Sequence, residues 1–330
     1  MDLKKQNKKR ILSGIQPSGK LHLGNYFGMM KRMIDYQINH DLFCFIANYH
    51  AMTSNPDTVT LSKNTFGAVC DFLALGIDPE KSTFWVQSDV PQVTELNWIL
   101  SSFTSVSLMD RSTSYKDKIS QGLKPNMGLY SYPILMSSDI LLFDSDIVPV
   151  GKDQKQHLEI TREIAKRINN KYGKVLVVPQ PEIDVRNQLV PGIDGRKMSK
   201  SYNNTIPIFD DSKKIRKRIM KIVTDLAEIN SPKNKNTSLF KIYSLFLNNK
   251  EKNRLIERYD LKGLRYGDIK LELYEKIMDY FKPFRDKRNF YLSNPKKVEE
   301  ILKHGSKKAK KIPIKVLDRI RSVTGINYKV

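Results

Sequence analysis

The sequence predicts an α/β fold, a Rossmann-like parallel sheet followed by a helical C-terminal domain, and three observations predict it. Short runs that are apolar on both faces, "ILSGI", "LFCFIAN" and "STFWVQS", alternate with segments of helical period in the first half of the chain. The first run breaks into "QPSGKLHLGN", a turn punctuated by Pro17, Gly19 and Gly24 just ahead of a helix. Beyond "GRKMSKS" the pattern becomes almost wholly helical and strongly basic.

Taken in order, "ILSGI" from Ile11 is the first strand and "NYFGMMKRMIDYQIN" the helix after the turn. "LFCFIAN" is a buried parallel strand, a helix follows over about 60–76, and "STFWVQS" is the third strand. Residues 91–145 are mainly helical, with Pro133 opening one helix, and "DIVPVG" and "KVLVVPQP" supply further strands. Helices then run from "DDSKKIRKRIMKIVTD" to "PIKVLDRIRSV". A sheet of this kind holds ligands at the carboxyl ends of its strands.

A length of 330 residues suffices for a full core and two domains. The net charge of +22 is unevenly spread. Residues 206–330 hold 32 Lys and Arg against 15 Asp and Glu, and residues 1–205 hold 25 against 20. The expected division is therefore a catalytic body over 1–205, with a helical insertion, and a polyanion-binding helical domain over 206–330. A lysine-rich solvated surface is the bland alternative. No run of about 18 apolar residues suggests a membrane span. The basic "MDLKKQNKKR" leads into a strand, not a signal-peptide core, so a soluble cytoplasmic protein is expected. Cys44 and Cys70 both sit in apolar settings and read as core thiols, which leaves neither a disulfide framework nor a Cys-rich zinc site.

Two short stretches carry the chemistry. "GIQPSGKLHLGN" is a strand-to-helix turn whose glycines let backbone approach a ligand and whose following helix presents free N–H groups. It has neither the Walker A pattern nor the Gly-x-Gly-x-x-Gly fingerprint. His22 adds a side-chain donor there, although a lone histidine after a strand is usually structural. "GIDGRKMSKSYNN" sets Lys197 and Lys200 on a glycine-flanked loop, which alone reads as a solvated turn. Together, and in this order, they resemble the two signatures of the class I aminoacyl-tRNA synthetases. In that chemistry a carboxylate attacks the α-phosphorus of ATP, and ammonium groups on a closing loop follow the charge onto the leaving pyrophosphate. Lys197, Lys200 and His22 are the catalytic candidates, with no enzyme nucleophile required.

The helix "YSYPILMSSDILLF" puts Tyr132, Met136, Asp139 and Phe143 on one face. Asp139 either caps the helix or bonds nearby backbone, or it is an acceptor at the bottom of an apolar pocket. A pocket of that kind suits a large flat ring with one donor, such as indole. "GIQPSGKLHLGNYFG", "SYPILMSSDILLFDSDIVPVGKDQKQHLEITREIA" and "GRKMSKS" resemble the bacterial tryptophanyl-tRNA synthetase family, over about residues 11–230. The resemblance implies that Asp139 accepts the indole N–H, with Met136, Tyr132, Gln154 and His50 around the amino acid. It implies ATP contacts at Gln16, Pro17 and Ser18, at Gly24 and Asn25, and at Gly151, Lys152 and Asp153. Lys118, Val190 and the loop residues Lys197, Met198, Ser199, Lys200 and Ser201 complete that set.

Two positions depart from the family. Lys152 stands where an acid is frequent, and Leu12 where an aromatic is often found beside the indole. The resemblance further implies L-tryptophan, ATP with Mg²⁺ and tRNA(Trp) as partners, a homodimer, and no protein metal site. A tyrosine-specific relative, a small-molecule nucleotidylyltransferase and a non-enzymatic RNA-binding paralogue are the alternatives. The second would not need the basic helical third of the chain.

Overall fold

The computed structural model describes residues 8–54, 56–120, 122–151, 154–183 and 190–328. The chain begins with β1 (Arg10–Ile15), α1 (Leu23–Asn25), α2 (Lys31–Asn39), β2 (Asp41–Ile46), α3 (Asn48–Ala51), α4 (Thr58–Leu75) and β3 (Thr83–Val86). There follow α5 (Gln92–Ser102), α6 (Val106–Asp110), α7 (Thr113–Ser120), α8 (Met127–Leu141), β4 (Ile147–Val150), α9 (Lys155–Tyr172) and β5 (Gln180–Ile183). The remainder is helical: α10 (Ser212–Met220), α11 (Ser238–Ser244), α12 (Asn249–Asp260), α13 (Tyr266–Ser293) and α14 (Pro295–Thr324).

The five strands form one parallel sheet in the order β3-β2-β1-β4-β5. The order reverses between β1 and β4, so the carboxyl ends of these two strands flank the switch point where such sheets take ligands. β2 is buried from Leu42 to Ile46, as a strand covered on both faces must be. Gly14 lies opposite Phe45 in the register. A Cβ on Gly14 would stand 2.5 Å from the Phe45 ring, so this strand position requires glycine.

Two elements differ from the sequence reading. Helix α8 starts at Met127, and Pro133 lies inside it; Asn126 fixes the start by accepting the Leu129 N–H at 2.8 Å. "KVLVVPQP" becomes a strand only from Gln180. The Asn169 side chain accepts the N–H groups of Val175 and Leu176 and donates to the Leu176 carbonyl. That fixes a turn there, while both apolar side chains stay buried.

The chain falls into two compact units. The first comprises Met1–Gly19, Met33–Val185 and Asn294–Val330; the second comprises Lys20–Arg32 and Arg186–Ser293. In the first, Leu12, Phe43, Phe45, Trp85 and Phe143 form a core beside the sheet. Helix α14 joins that core through Ala309, Val316, Leu317 and Ile320. It lies so close to β3 that a Cβ on Gly305 would be 1.8 Å from the Phe84 carbonyl oxygen. Arg319 and Arg321 pin the helix further, to Asp144 and Glu95. The compact units therefore cut the chain elsewhere than at 205/206, and the basic last third is shared between them.

In the second unit, Tyr26–Met30 forms a π-helical turn. Tyr26 meets the Tyr280 hydroxyl at 2.9 Å, and Phe27 meets Phe246 edge to face. This aromatic cluster anchors the segment that follows His22 onto α13. Among the described residues, no helix is long and apolar enough to cross a membrane.

Candidate functional site

The second unit brings the two short motifs together. The segment around His22 is held by Leu23 N–H to the Ile206 carbonyl at 3.0 Å and Ile208 N–H to the Leu21 carbonyl at 3.1 Å. Asn25 Oδ1 accepts the His22 backbone N–H at 3.1 Å. The Gly24 N–H points at the Met198 sulfur, 3.3 Å away. A Cβ on Gly24 would fall 3.0 Å from the His22 ring and 3.2 Å from the Met198 Cβ, so the motifs meet at a point that only glycine fits without displacement.

His22 is 6% exposed. Burial, and then the nearby Lys200 charge, lower its pKa to about 4. At neutral pH the ring is an uncharged donor and acceptor, not a cation.

The lysine loop is organised by Asn204, which is buried. Its Nδ2 donates to Asp194 Oδ1 at 2.7 Å and to the Lys197 carbonyl at 3.0 Å. Its Oδ1 accepts the Ser199 N–H at 2.8 Å. Gly192 makes room, since a Cβ there would be 2.2 Å from Asn204 Nδ2, and Gly195 turns the chain at φ +89°. The Met198 N–H bonds the Val190 carbonyl at 2.9 Å. Met198 is buried as an anchor, whereas Lys197, Lys200 and Ser201 face solvent and Ser199 is half-buried.

The first unit groups several of the residues expected around the amino acid. Asp139 is 4% exposed, and it does not cap its helix. Its Oδ2 lies 2.7 Å from His50 Nε2, and Gln87 Nε2 donates to both oxygens at 2.8 and 2.9 Å. Gln87 is itself fixed, because its Oε1 accepts the Tyr49 N–H at 3.0 Å. The Tyr132 hydroxyl meets His157 Nε2 at 2.6 Å, and its ring stands 6.4 Å from that of His50. Lys118 places its Nζ over the Tyr132 ring at 4.0 Å. Partial burial lowers the Lys118 pKa.

Asp139, His50, Tyr132 and Lys118 are thus one cluster, with Met136 half-buried on the same helix. At the end of β1, Pro17 is buried and the Ser18 N–H bonds the Gln16 carbonyl at 2.8 Å. Past β4, the Gln154 N–H bonds the Gly151 carbonyl at 3.0 Å. Lys152 and Asp153 lie outside the described residues. Leu12 is part of the packed core. Three residues escaped sequence reasoning: Gln87, His157 and Asn204. Gln87 alone had a signal, because it follows the carboxyl end of β3.

The model of the tRNA synthetases class I (W and Y) matches residues 4–282. A tryptophan–tRNA ligase of Fusobacterium nucleatum is 49% identical over 319 residues, 96% of this chain and 98% of that protein. One of Campylobacter jejuni strain RM1221 is also 49% identical, over 96% of this chain and 100% of its own length. Among solved structures, the C. jejuni tryptophanyl-tRNA synthetase complexed with ADP and tryptophan superposes with a TM-score of 0.92 at 49% identity. That match covers 96% of this chain and 99% of the other. The chain belongs to the class I tRNA synthetases for tryptophan and tyrosine, and within them to the bacterial tryptophanyl-tRNA synthetases.

Proposed function

We propose that Asp139 selects L-tryptophan and that the His22 and lysine-loop motifs serve the ATP that activates it. The chemistry is that of a tryptophan–tRNA ligase. A carboxylate oxygen of tryptophan attacks the α-phosphorus, the bond to the β-bridging oxygen breaks, and pyrophosphate leaves. A ribose hydroxyl at the 3′ end of tRNA(Trp) then attacks the carbonyl carbon of the adenylate and AMP departs.

The observation that carries this reading is the buried carboxylate of Asp139, oriented by His50 and Gln87. An ionised carboxylate has about four lone-pair sites, so it can still accept one indole N–H. Smaller residues leave voids, and phenylalanine leaves the acceptor unmatched. Tyr132, Met136, Gln154 and His50 are assigned to the amino acid. Gln16, Pro17, Ser18, Gly24, Asn25, Gly151, Lys118 and Val190 are assigned to ATP. Lys197 and Lys200 counter charge on the leaving oxygens, and neutral His22 donates a hydrogen bond without adding charge. The Campylobacter jejuni relative complexed with ADP and tryptophan supports both ligand classes.

Mg²⁺ enters with the nucleotide through phosphate oxygens and water. Among the described residues, no group of three or more His, Cys, Asp or Glu is placed to hold it. A second copy of the chain is assigned as partner, with the exposed apolar side chains of the first unit, such as Trp98, Val106 and Met127, as candidates for its contacts. A chain that consumes ATP and tRNA is placed in the cytoplasm. ATP–pyrophosphate exchange with each amino acid in turn tests the reading. Exchange should require tryptophan, and exchange driven by tyrosine would move the assignment to the other branch.

A further inference from the structure

His157, on α9 of the first unit, is 1% exposed and has no part in the reaction as described. Its Nε2 lies 2.6 Å from the hydroxyl of Tyr132 on α8, and the two rings stand edge to face at 5.1 Å. About one turn further along both helices, the buried hydroxyls of Ser137 and Thr161 meet at 2.9 Å. That second contact already ties α8 to α9, so the His157–Tyr132 pair is not needed for the tie alone. Burying an imidazole against a phenol is also costlier than burying two apolar side chains of the same size. The polarity of the pair therefore calls for a use. Its place suggests one: spacings of four and seven residues put Tyr132 on the face of α8 that carries Met136 and Asp139. On α9, Gln154 stands three residues ahead of His157.

We propose that His157 is a positioning residue that sets the polarity of the Tyr132 hydroxyl and, through it, which end of the amino acid lies against α8. This rests on the reading above, in which Tyr132 faces tryptophan. An uncharged imidazole nitrogen is a far better proton acceptor than a phenol oxygen, so the Tyr132 O–H donates and His157 Nε2 accepts. That bond fixes the tautomer, with the ring proton on Nδ1. Once its one proton is committed to His157, the Tyr132 oxygen offers a ligand lone pairs only. It then takes a donor and turns away an acceptor. Tryptophan brings two donors, the indole N–H assigned to Asp139 and the α-ammonium, and one group that only accepts, the carboxylate. The ammonium is therefore the group held by Tyr132, and the carboxylate is left for its attack on phosphorus. Without His157 the hydroxyl proton is released to turn toward the ligand, where it opposes the ammonium and favours the carboxylate.

The test is titration calorimetry of the full chain with L-tryptophan and with indole-3-propionate, which keeps the indole and the carboxylate and lacks the ammonium. In His157→Leu the preference for tryptophan over this analogue should fall roughly tenfold, the usual worth of one charge-assisted hydrogen bond. His157→Gln should restore most of it, since the amide oxygen can accept the Tyr132 proton. On a Tyr132→Phe background, His157→Leu should have no further effect on the preference, because His157 acts through that hydroxyl. Equal weakening of both ligands in His157→Leu overturns the proposal and leaves the pair as packing. So does an additive loss in the double variant. Nitrogen-15 NMR of the wild type tests it without any substitution: Nε2 of His157 should be bare and Nδ1 protonated, and a proton on Nε2 overturns it. Both ligands carry the indole, so a failure of Asp139 to select that ring would show as weak binding of both by the wild type, apart from their ratio.

Discussion

The Gly24 N–H lies 3.3 Å from the sulfur of Met198, 174 residues further along the chain. This contact joins the turn that carries His22 to the loop that carries Lys197 and Lys200. A β-carbon at position 24 would press on the His22 ring and on Met198 together. Gly24→Ala should therefore slow adenylate formation by on the order of ten- to a hundredfold through misplacement alone. Single-turnover kinetics checks this, and an unchanged rate would mean the two motifs need no fixed spacing.

Lys200 is exposed on a loop whose base is pinned by Asn204. Lys200→Ala should lower the rate of adenylate formation by roughly 10²–10³, the usual cost of one lost charge-stabilising donor, with tryptophan affinity little changed. Equal single-turnover rates would return the loop to a solvated turn.

The pKa of His22, lowered to about 4, sets a pH dependence. The unfolded chain takes up a proton near pH 6.5 that the folded chain refuses until about pH 4. Stability from this group is present above pH 6.5, falls as pH drops through that window, and levels below it. Replacing His22 by Gln should flatten that part of the stability–pH curve in chemical denaturation. NMR should find the ring neutral down to about pH 5. A titration near 6.5 would show that burial and Lys200 do not govern it.

The basic C-terminal helix gives a prediction that differs from a plain charge count. Of the lysines in "HGSKKAKK", Lys307 and Lys311 are exposed, whereas Lys308 reaches toward the Ser82 carbonyl. Lys310 acts on Asp89, whose pKa is raised by burial and drawn part of the way back by this ammonium. If this helix holds tRNA through phosphates, Lys307→Gln/Lys311→Gln should raise KM for tRNA. The slope of log K against log salt should fall by nearly one per lost duplex contact. Tryptophan-dependent pyrophosphate exchange should be unaffected. An unchanged slope would place the tRNA contact elsewhere.

The strands and their parallel order were legible because a short run apolar on both faces fits a strand covered by helices above and below. The two motifs were legible only as a pair, through their resemblance to the class I signatures, because each alone reads as an ordinary polar turn. Gln87 was not, because a glutamine after a strand looks like any polar loop residue until its amide is seen between Tyr49 and Asp139. Asn204 was hidden for a similar reason: it acts on backbone groups of its own loop, and such bonds leave no pattern in composition. The placement of α14 turned on Gly305, whose contact with Phe84 joins residues 221 apart in sequence. A count of charges treats that helix as surface, although one face of it is core.

The measurement closest to the central claim is the ratio of kcat/KM for tryptophan over phenylalanine in ATP–pyrophosphate exchange, in wild type and in Asp139→Ala. Without the carboxylate, the indole N–H loses its acceptor and phenylalanine no longer strands one. The ratio should fall by roughly a hundredfold or more, while KM for ATP moves little. A variant that stays folded by circular dichroism and keeps the wild-type ratio would show that Asp139 serves only to hold His50 and Gln87 in place, and that tryptophan is chosen by other groups.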